Sequence, residues 1–400
     1  MKRIKILRII ARLNIGGPAI HTVLLTQGLN KSKFEPLLVC GAIGHGEGDM
    51  RYYAQERKVR PLYIPELRRK LNPLNDLIAF IKILRIIKAQ KPDIIHTHTA
   101  KAGTLGRLAG IIYNLTTPAQ KKIKLIHTFH GHIFEGYFNE FLGRMFIFIE
   151  KFLAYFTSRI ITVSESVKNE LIALGICKED KIKVILLGFE LDEFLNINTD
   201  KYESNADVHG VNNLNVGIVG RLVPIKNHRL FLDAVATVMK ECPCLKVRFK
   251  IVGDGELRGV LEEYSRKLNI DRYVEFTGWQ KDLAGVYADL DIVCLTSLNE
   301  GTPVSLIEAM ASGRAVVATE AGGVVDLLGE EIEARGNFIV RKRGVTVGSN
   351  DVRGFAEALT FVLENEDIRK TLTKAAQGYV KDTFSKKRLV MDMEKLYSVL

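Results

Sequence analysis

The sequence predicts an α/β protein built from two doubly wound, Rossmann-like domains. Three observations lead there. The chain has 400 residues, too many for one ordinary hydrophobic core. Short apolar runs alternate with helical segments along most of it, the pattern of parallel sheets covered on both faces. Several of these runs end in glycine or histidine loops just before a helix, where ligands collect beyond the carboxyl ends of parallel strands.

The composition bounds the class further. Hydrophobic residues make up 47% and charged residues 26%, the balance of a globular protein. The opening Met1-Lys2-Arg3-Ile4-Lys5 leads into a short apolar run interrupted by Arg8 and Arg12, too brief and too charged for a secretory leader. No window reaches eighteen uncharged apolar residues, so no membrane span is expected. The five cysteines are scattered, and Cys242-Pro243-Cys244 has no second pair. Reduced cysteines and a cytoplasmic location are therefore expected. Charge is uneven: residues 1–195 carry 30 Lys+Arg and 17 Asp+Glu, a net +13, and the remainder nets −2. This points to an anionic surface or partner for the first half only.

In chain order, residues 5–10 form a strand, Asn14-Ile15-Gly16-Gly17-Pro18-Ala19 a tight loop, and 21–30 a helix. Gly16 and Gly17 between strand and helix let backbone approach a phosphate. The loop is neither Gly-x-Gly-x-x-Gly nor a P-loop, which weakens the dinucleotide and ATPase readings. Alternation continues through 36–40, 60–64, 74–89, 94–96, 104–112 and 124–128. Two strands end in His96-Thr97-His98-Thr99-Ala100-Lys101 and His127-Thr128-Phe129-His130-Gly131-His132. Such histidines suit a metal centre, or neutral imidazoles hydrogen-bonding to sugar hydroxyls or phosphate oxygens. The absence of Asp or Glu at ligand spacing weighs for the second, so no metal and no cofactor are expected. Lys101 and Arg107 could meet an acceptor phosphate or be solvated. Residues 141–157 are an aromatic helix, 160–163 a strand, and 184–188 close the first domain. The polar stretch 196–215 reads as a linker.

The second half opens with a strand ending at Gly220, then Arg221-Leu222-Val223-Pro224-Ile225-Lys226 before a helix at 228–240. A diphosphate held without metal needs two such cations. Further strands end at Gly253, and at Gly278 beside the single Trp279. Residues 287–295 read as a strand, followed by Glu300-Gly301-Thr302-Pro303-Val304-Ser305-Leu306-Ile307-Glu308. Thr302 is expected to cap a helix with Pro303 at its first position. The amides of Val304 and Ser305 then form an anion site between two carboxylates, which suits a nucleotide-sugar. Asp289-Leu290-Asp291 is read as structural. Residues 315–319 form a strand, and 352–364, 368–383 and 385–400 are helical.

Glu300, Glu308 and the following Ala309-Met310-Ala311-Ser312-Gly313 resemble the retaining glycosyltransferases of family 4, which have the GT-B fold of two Rossmann-like domains facing across a cleft. Gly-Arg-Leu-x-x-x-Lys at 220–226 is similar to the same family's diphosphate motif. The resemblance implies an acceptor-side domain at 1–195, a donor domain at 196–384, and a last helix, 385–400, crossing back to the first domain. It implies that Glu300 contacts the transferred sugar, Glu308 the ribose, Arg221 and Lys226 the diphosphate, and Gly253 the nucleoside region. His130 would sit at the sugar near the reaction centre and Gly17 near the diphosphate and acceptor. Many members have Phe-Gly where this chain has Thr302-Pro303. The implied activity is transfer of a hexose or N-acetylhexosamine, with retention, from a UDP-sugar to a membrane-proximal or lipid-linked saccharide in cell-surface polysaccharide synthesis. The enzyme would be peripheral at the inner face of the membrane, with no nucleic-acid partner. An epimerase of the same fold, or an inactive nucleotide-sugar-binding protein, are the alternatives.

Overall fold

The computed structural model describes residues 3–44, 48–68, 71–131, 140–197 and 214–400. The chain divides into two compact units, Met1–Phe189 with Phe384–Leu400, and Glu190–Thr383.

In the first unit the order is β1 (Ile4–Arg12), α1 (Gly17–Gly28), β2 (Phe34–Gly41), α2 (Arg51–Glu56), β3 (Leu62–Ile64), α3 (Pro73–Gln90), β4 (Ile94–His98), α4 (Ala100–Leu115), β5 (Lys124–Phe129), α5 (Glu140–Phe156), β6 (Arg159–Thr162), α6 (Glu165–Ala173) and β7 (Ile182–Val184). Its seven strands run parallel in the order β3-β2-β1-β4-β5-β6-β7. Residues 6–11 of β1 are all buried because helices cover both faces of a parallel sheet. Alternate side chains serve alternate faces. Ile6, Ile94 and Ile126 meet Leu25, Leu29, Leu389 and Met393 on one side. Leu7, Ile9, Ile95 and Leu125 meet Ile83, Ile87, Ala102 and Ala109 on the other.

The second unit contains α7 (Asp192–Leu195), β8 (Leu214–Val219), α8 (His228–Glu241), β9 (Val247–Val252), α9 (Arg258–Lys267), β10 (Val274–Gly278), α10 (Leu283–Ala288), β11 (Ile292–Leu295), α11 (Val304–Ala311), β12 (Ala315–Thr319), α12 (Gly323–Leu328), β13 (Glu331–Arg335), β14 (Phe338–Arg341), β15 (Gly344–Val347), α13 (Val352–Glu364) and α14 (Glu366–Thr383). The sheet order is β10-β9-β8-β11-β12-β15-β14-β13, antiparallel only where β13, β14 and β15 pair. The last helix, α15 (Lys386–Ser398), belongs to the first unit. Ser385 caps it by accepting from the Arg388 amide.

In each sheet the first strand is central, the next two lie to one side and the fourth to the other. The order therefore reverses between β1 and β4 and again between β8 and β11. Crevices at such switch points are where open parallel sheets bind ligands.

Several elements differ from the sequence expectation. Residues 190–195 join the second unit, not the first, because Phe194 on α7 packs edge-on against Tyr287, ring centroids 5.8 Å apart. Residues 198–213 of the expected linker lie outside the described residues, as does His132. Tyr287 lies in the last turn of α10, which is capped by Asp282 and ends at Ala288, so the strand expected at 287–295 is only Ile292–Leu295. Pro303, not Thr302, is the N-cap of α11: its extended ψ of 92° delays the first helical residue to Val304. The β13–β15 hairpins are not among the sequence expectations: β13, Glu331-Ile332-Glu333-Ala334-Arg335, alternates polar and apolar residues but is short and exposed on both faces.

Candidate active site

At the second switch point, the loops after β8 and β11 are tied together. The Leu298 amide donates to the Ile225 carbonyl (2.9 Å), and the Thr296 hydroxyl to the Lys226 carbonyl (3.0 Å). Thr319 at the end of β12 donates to the Ser297 carbonyl (2.7 Å), and the Gly323 amide to the Glu300 carbonyl (2.9 Å). These bonds fix the backbone of Glu300. Its carboxylate accepts from the Lys226 ammonium at 2.5 Å and from the Ser297 hydroxyl at 2.6 Å. The sequence thus separates Lys226 and Glu300 by 74 residues, and the fold makes them a pair. Arg221 is exposed, and its guanidinium has no hydrogen bond or ion pair among the described residues.

Gly253 shows why backbone must come close here. Its φ of +134° suits only glycine, and a Cβ would lie 1.9 Å from the Gly220 carbonyl oxygen. Strand β9 can therefore run against the loop that presents Arg221. Beyond Glu300, the amides of Val304 and Ser305 make no hydrogen bond among the described residues, because as the first two residues of α11 they have no helical carbonyl a turn earlier to donate to. They are the open donors of a helix N-terminus, with its partial positive charge.

Glu308 lies on α11, its carboxylate accepting from the Tyr287 hydroxyl at 2.9 Å. Burial pushes its pKa up to about 7, the Tyr287 bond works against that rise, and the nearby Glu193 of α7 adds to it. Tyr287, Ser297 and Thr319 are site residues that sequence reasoning missed. A polar residue just past a buried strand, as at Ser297, was the available signal.

Asp289 and Asp291 precede β11, at the opposite end from these loops. Asp291 accepts from the Asn215 amide (2.7 Å) and Asp289 pairs with Lys250. Trp279 is half exposed.

The first switch point has a different chemistry. Gly16, with φ +149°, forms the N-cap of α1, and Gly17 is its first residue. His98 ends β4 and His130 follows β5; His98 Nδ1 lies 3.0 Å from His130 Nε2. His21 on α1 joins them, with a ring nitrogen of each within 4.8 Å of the others. Desolvation holds all three neutral, His130 down to about 3. Behind them His96 contacts the Tyr397 hydroxyl (2.6 Å) and Thr128 (2.7 Å). From the sequence alone, His21 is expected only to start a helix.

Lys101 and Arg107 are not acceptor ligands as the protein stands. Arg107 is buried and donates to both oxygens of Glu150 at 2.8 and 2.7 Å, and Lys101 pairs with Asp76 at 2.7 Å. Both are spent on joining helices.

Comparison with known proteins agrees with this architecture. Residues 15–193 match the family model "Glycosyltransferase Family 4" and residues 213–365 the model "Glycosyl transferases group 1". The UDP-Gal:alpha-D-GlcNAc-diphosphoundecaprenol alpha-1,3-galactosyltransferase of Escherichia coli is 26% identical over 372 residues, 92% of this chain and 90% of that protein. The capsular polysaccharide biosynthesis glycosyltransferase CapM of Staphylococcus aureus is 24% identical, covering 84% of each. Anabaena Alr3699/HepE, crystallised with UDP and glucose, superposes with a TM-score of 0.78 at 21% identity over 100% of both chains. Two matched family models that together span most of the chain, on two Rossmann-like sheets, make it a family 4-like glycosyltransferase of GT-B fold.

Proposed function

We propose that the protein transfers a hexose or N-acetylhexosamine from a UDP-sugar, with retention at the anomeric carbon, to a lipid-linked or membrane-proximal saccharide in cell-surface polysaccharide synthesis. The observation that carries this is the joined loop pair of the second unit, in which Arg221, Lys226, Glu300 and the Val304 and Ser305 amides stand at one switch point. Arg221, Lys226 and the amides stabilise the leaving diphosphate, and Glu308 accepts the ribose hydroxyls. Glu300 positions the sugar, and its carboxylate keeps Lys226 oriented. In the first unit, His130, Gly16 and Gly17 at its own switch point are assigned to sugar and phosphate groups, and in the second Gly253 leaves room for the nucleoside. The Glu300 carboxylate is held by Lys226 and Ser297, which supports front-face substitution over covalent attack.

The relatives named above support UDP as the nucleotide and a diphospholipid-linked or capsular acceptor. Membrane proximity has its own support in the first unit. Phe148, Phe152, Tyr155 and Phe156 of α5 are exposed, as are Leu74 and Leu77 of α3, beside the basic Lys151, Arg85 and Lys88. No helix among the described residues is long and apolar enough to cross a membrane. Aromatic and basic side chains together suit the interface of an anionic leaflet, at roughly 1 kcal/mol per Lys or Arg.

The deciding experiment is a UDP-sugar screen with and without lipid-diphosphate saccharide acceptors, with the product anomer read by NMR. Acceptor-dependent release of UDP with an α-linked product from an α-donor is expected. Turnover without acceptor identifies an epimerase, and UDP binding without turnover an inactive binder.

A further inference from the structure

The loop that carries Glu300 is held from behind by a helix too short to hold itself. The Glu300 carbonyl accepts from the amide of Gly323, the first residue of α12, and α12 has only six residues. A helix of that length is marginal unless other segments support it. Its N-cap, Gly322, has no side chain with which to bond the first turn. The two sheets differ at this point. In the first unit the crossover from β5 to its parallel neighbour β6 carries the 17-residue α5. In the second unit the crossover from β12 to its parallel neighbour β15 carries α12 and then the β13–β14 hairpin.

That hairpin returns two arginines to α12. The last carbonyls of a helix have no partner within it. Here Arg343 Nε donates to the Leu327 carbonyl (2.7 Å) and Nη2 to that of Asp326 (3.3 Å). The Arg343 amide donates to the Leu328 carbonyl (3.1 Å), and Arg341 Nη1 to that of Gly329 (3.2 Å). Two guanidinium groups also oppose the negative end of the helix dipole. Arg341 reaches the entry to α12 as well. It is buried, donates to the Thr346 hydroxyl (2.7 Å) and pairs with the Glu320 carboxylate. Thr346 donates to the same carboxylate oxygen (2.9 Å), and the Glu320 amide is bonded to the Val347 carbonyl of β15 (2.8 Å). One buried side chain thus fixes the segment before α12 and the carbonyl after it.

We propose that Arg341, with Arg343, is a positioning residue for the sugar end of the donor site, acting through α12 and the Gly323 amide on the backbone of Glu300. This rests on the reading of Glu300 as the group at the transferred sugar. The diphosphate contacts do not depend on the same support. Val304 and Ser305 belong to α11, which is anchored by the fully buried Leu306, Ile307 and Met310, and Arg221 and Lys226 follow β8. A loosened α12 therefore displaces the carboxylate at the sugar and leaves the diphosphate donors in place.

The test is Arg341→Met in the full chain, assayed with the UDP-sugar that the screen selects. A fall in kcat of about tenfold or more is expected, with donor KM and UDP affinity unchanged. Placed on top of Glu300→Gln, Arg341→Met is expected to add little, because both act through one group. Hydrogen exchange reads the coupling without turnover: residues 298–303 and 320–329 should exchange about tenfold faster, and α11 at the wild-type rate. Thermal unfolding checks folding. Arg343, which donates to carbonyls and has no carboxylate in an ion pair among the described residues, provides Arg343→Met if Arg341→Met does not fold. Unchanged exchange at 298–303 in a folded variant overturns the proposal, as do a normal kcat, losses that add to that of Glu300→Gln, or a weakened UDP affinity, which marks general loosening. Normal turnover in Glu300→Gln removes the assignment of Glu300 and the positioning role together. Normal turnover in Arg341→Met beside a slow Glu300→Gln removes only the role of Arg341.

Discussion

The two units share one strand order around the switch point, yet they use charge in opposite ways. In the second unit the charges at the strand ends are half-buried or exposed and gathered on loops: Arg221, Lys226 and Glu300. In the first unit the charged groups are withdrawn into the interior, as Arg8 and the Arg107–Glu150 pair. What remains at the strand ends is a set of neutral imidazoles. An accessible cation pair can bind and release a diphosphate, whereas a buried ion pair between helices holds structure. One topology thus yields a charged site on one sheet and a neutral, hydrogen-bonding site on the other.

This contrast can be broken most visibly at Arg107. Arg107→Leu leaves Glu150 buried and unpaired, and a loss of about 3–5 kcal/mol in first-unit stability is expected. Calorimetric unfolding should show it, with UDP affinity unchanged. A fall in UDP affinity without loss of stability would move Arg107 to the site.

Glu300→Gln should act on rate. A fall in kcat of about 100-fold with little change in donor KM is expected, because its contacts lie at the reacting sugar. A raised donor KM at normal kcat would mean that the donor is bound in the reverse sense. Arg221→Ala and Lys226→Ala should each weaken donor binding tenfold or more, the cost of about 1.5–3 kcal/mol for a charge-assisted bond. UDP titration checks this, and near-normal affinity in both variants would remove the diphosphate assignment.

Glu308 sharpens the comparison through pH. Its pKa, raised to about 7, means that the carboxylate gains a proton as pH falls through that value and loses acceptor capacity for the ribose. Donor KM should therefore rise severalfold from pH 8 to pH 6, and Glu308→Gln should raise it at all pH values and flatten the profile. A pH-independent wild-type KM would contradict the ribose role. The smallest expected effect is that of EDTA: with two cations and a helix terminus at the diphosphate, the rate should not change. Loss of activity restored by Mn²⁺ or Mg²⁺ would reinstate Asp289, Asp291 or the histidines as ligands.

Much of the architecture was legible in the residue order because it depends on local pattern. Apolar runs such as Ile292–Leu295, caps such as Ser164, which accepts from the Val167 amide, and Asp351, which accepts from the Gly354 amide, and glycines at strand ends act over a few residues. They determined which segments became strands and helices and which loops came to the carboxyl edges of the sheets. Tertiary structure decided what local pattern does not encode. It placed Lys226 on Glu300, Tyr287 on Glu308, and Tyr397 of the last helix on Arg8 and His96, pairs separated by 74, 21, 389 and 301 residues. It also withdrew Arg107 and Lys101 from solvent by giving each a carboxylate on another helix. The reason is physical: whether a charged side chain is a ligand or a strut depends on which partner lies within about 3 Å, and that is set by packing between distant segments.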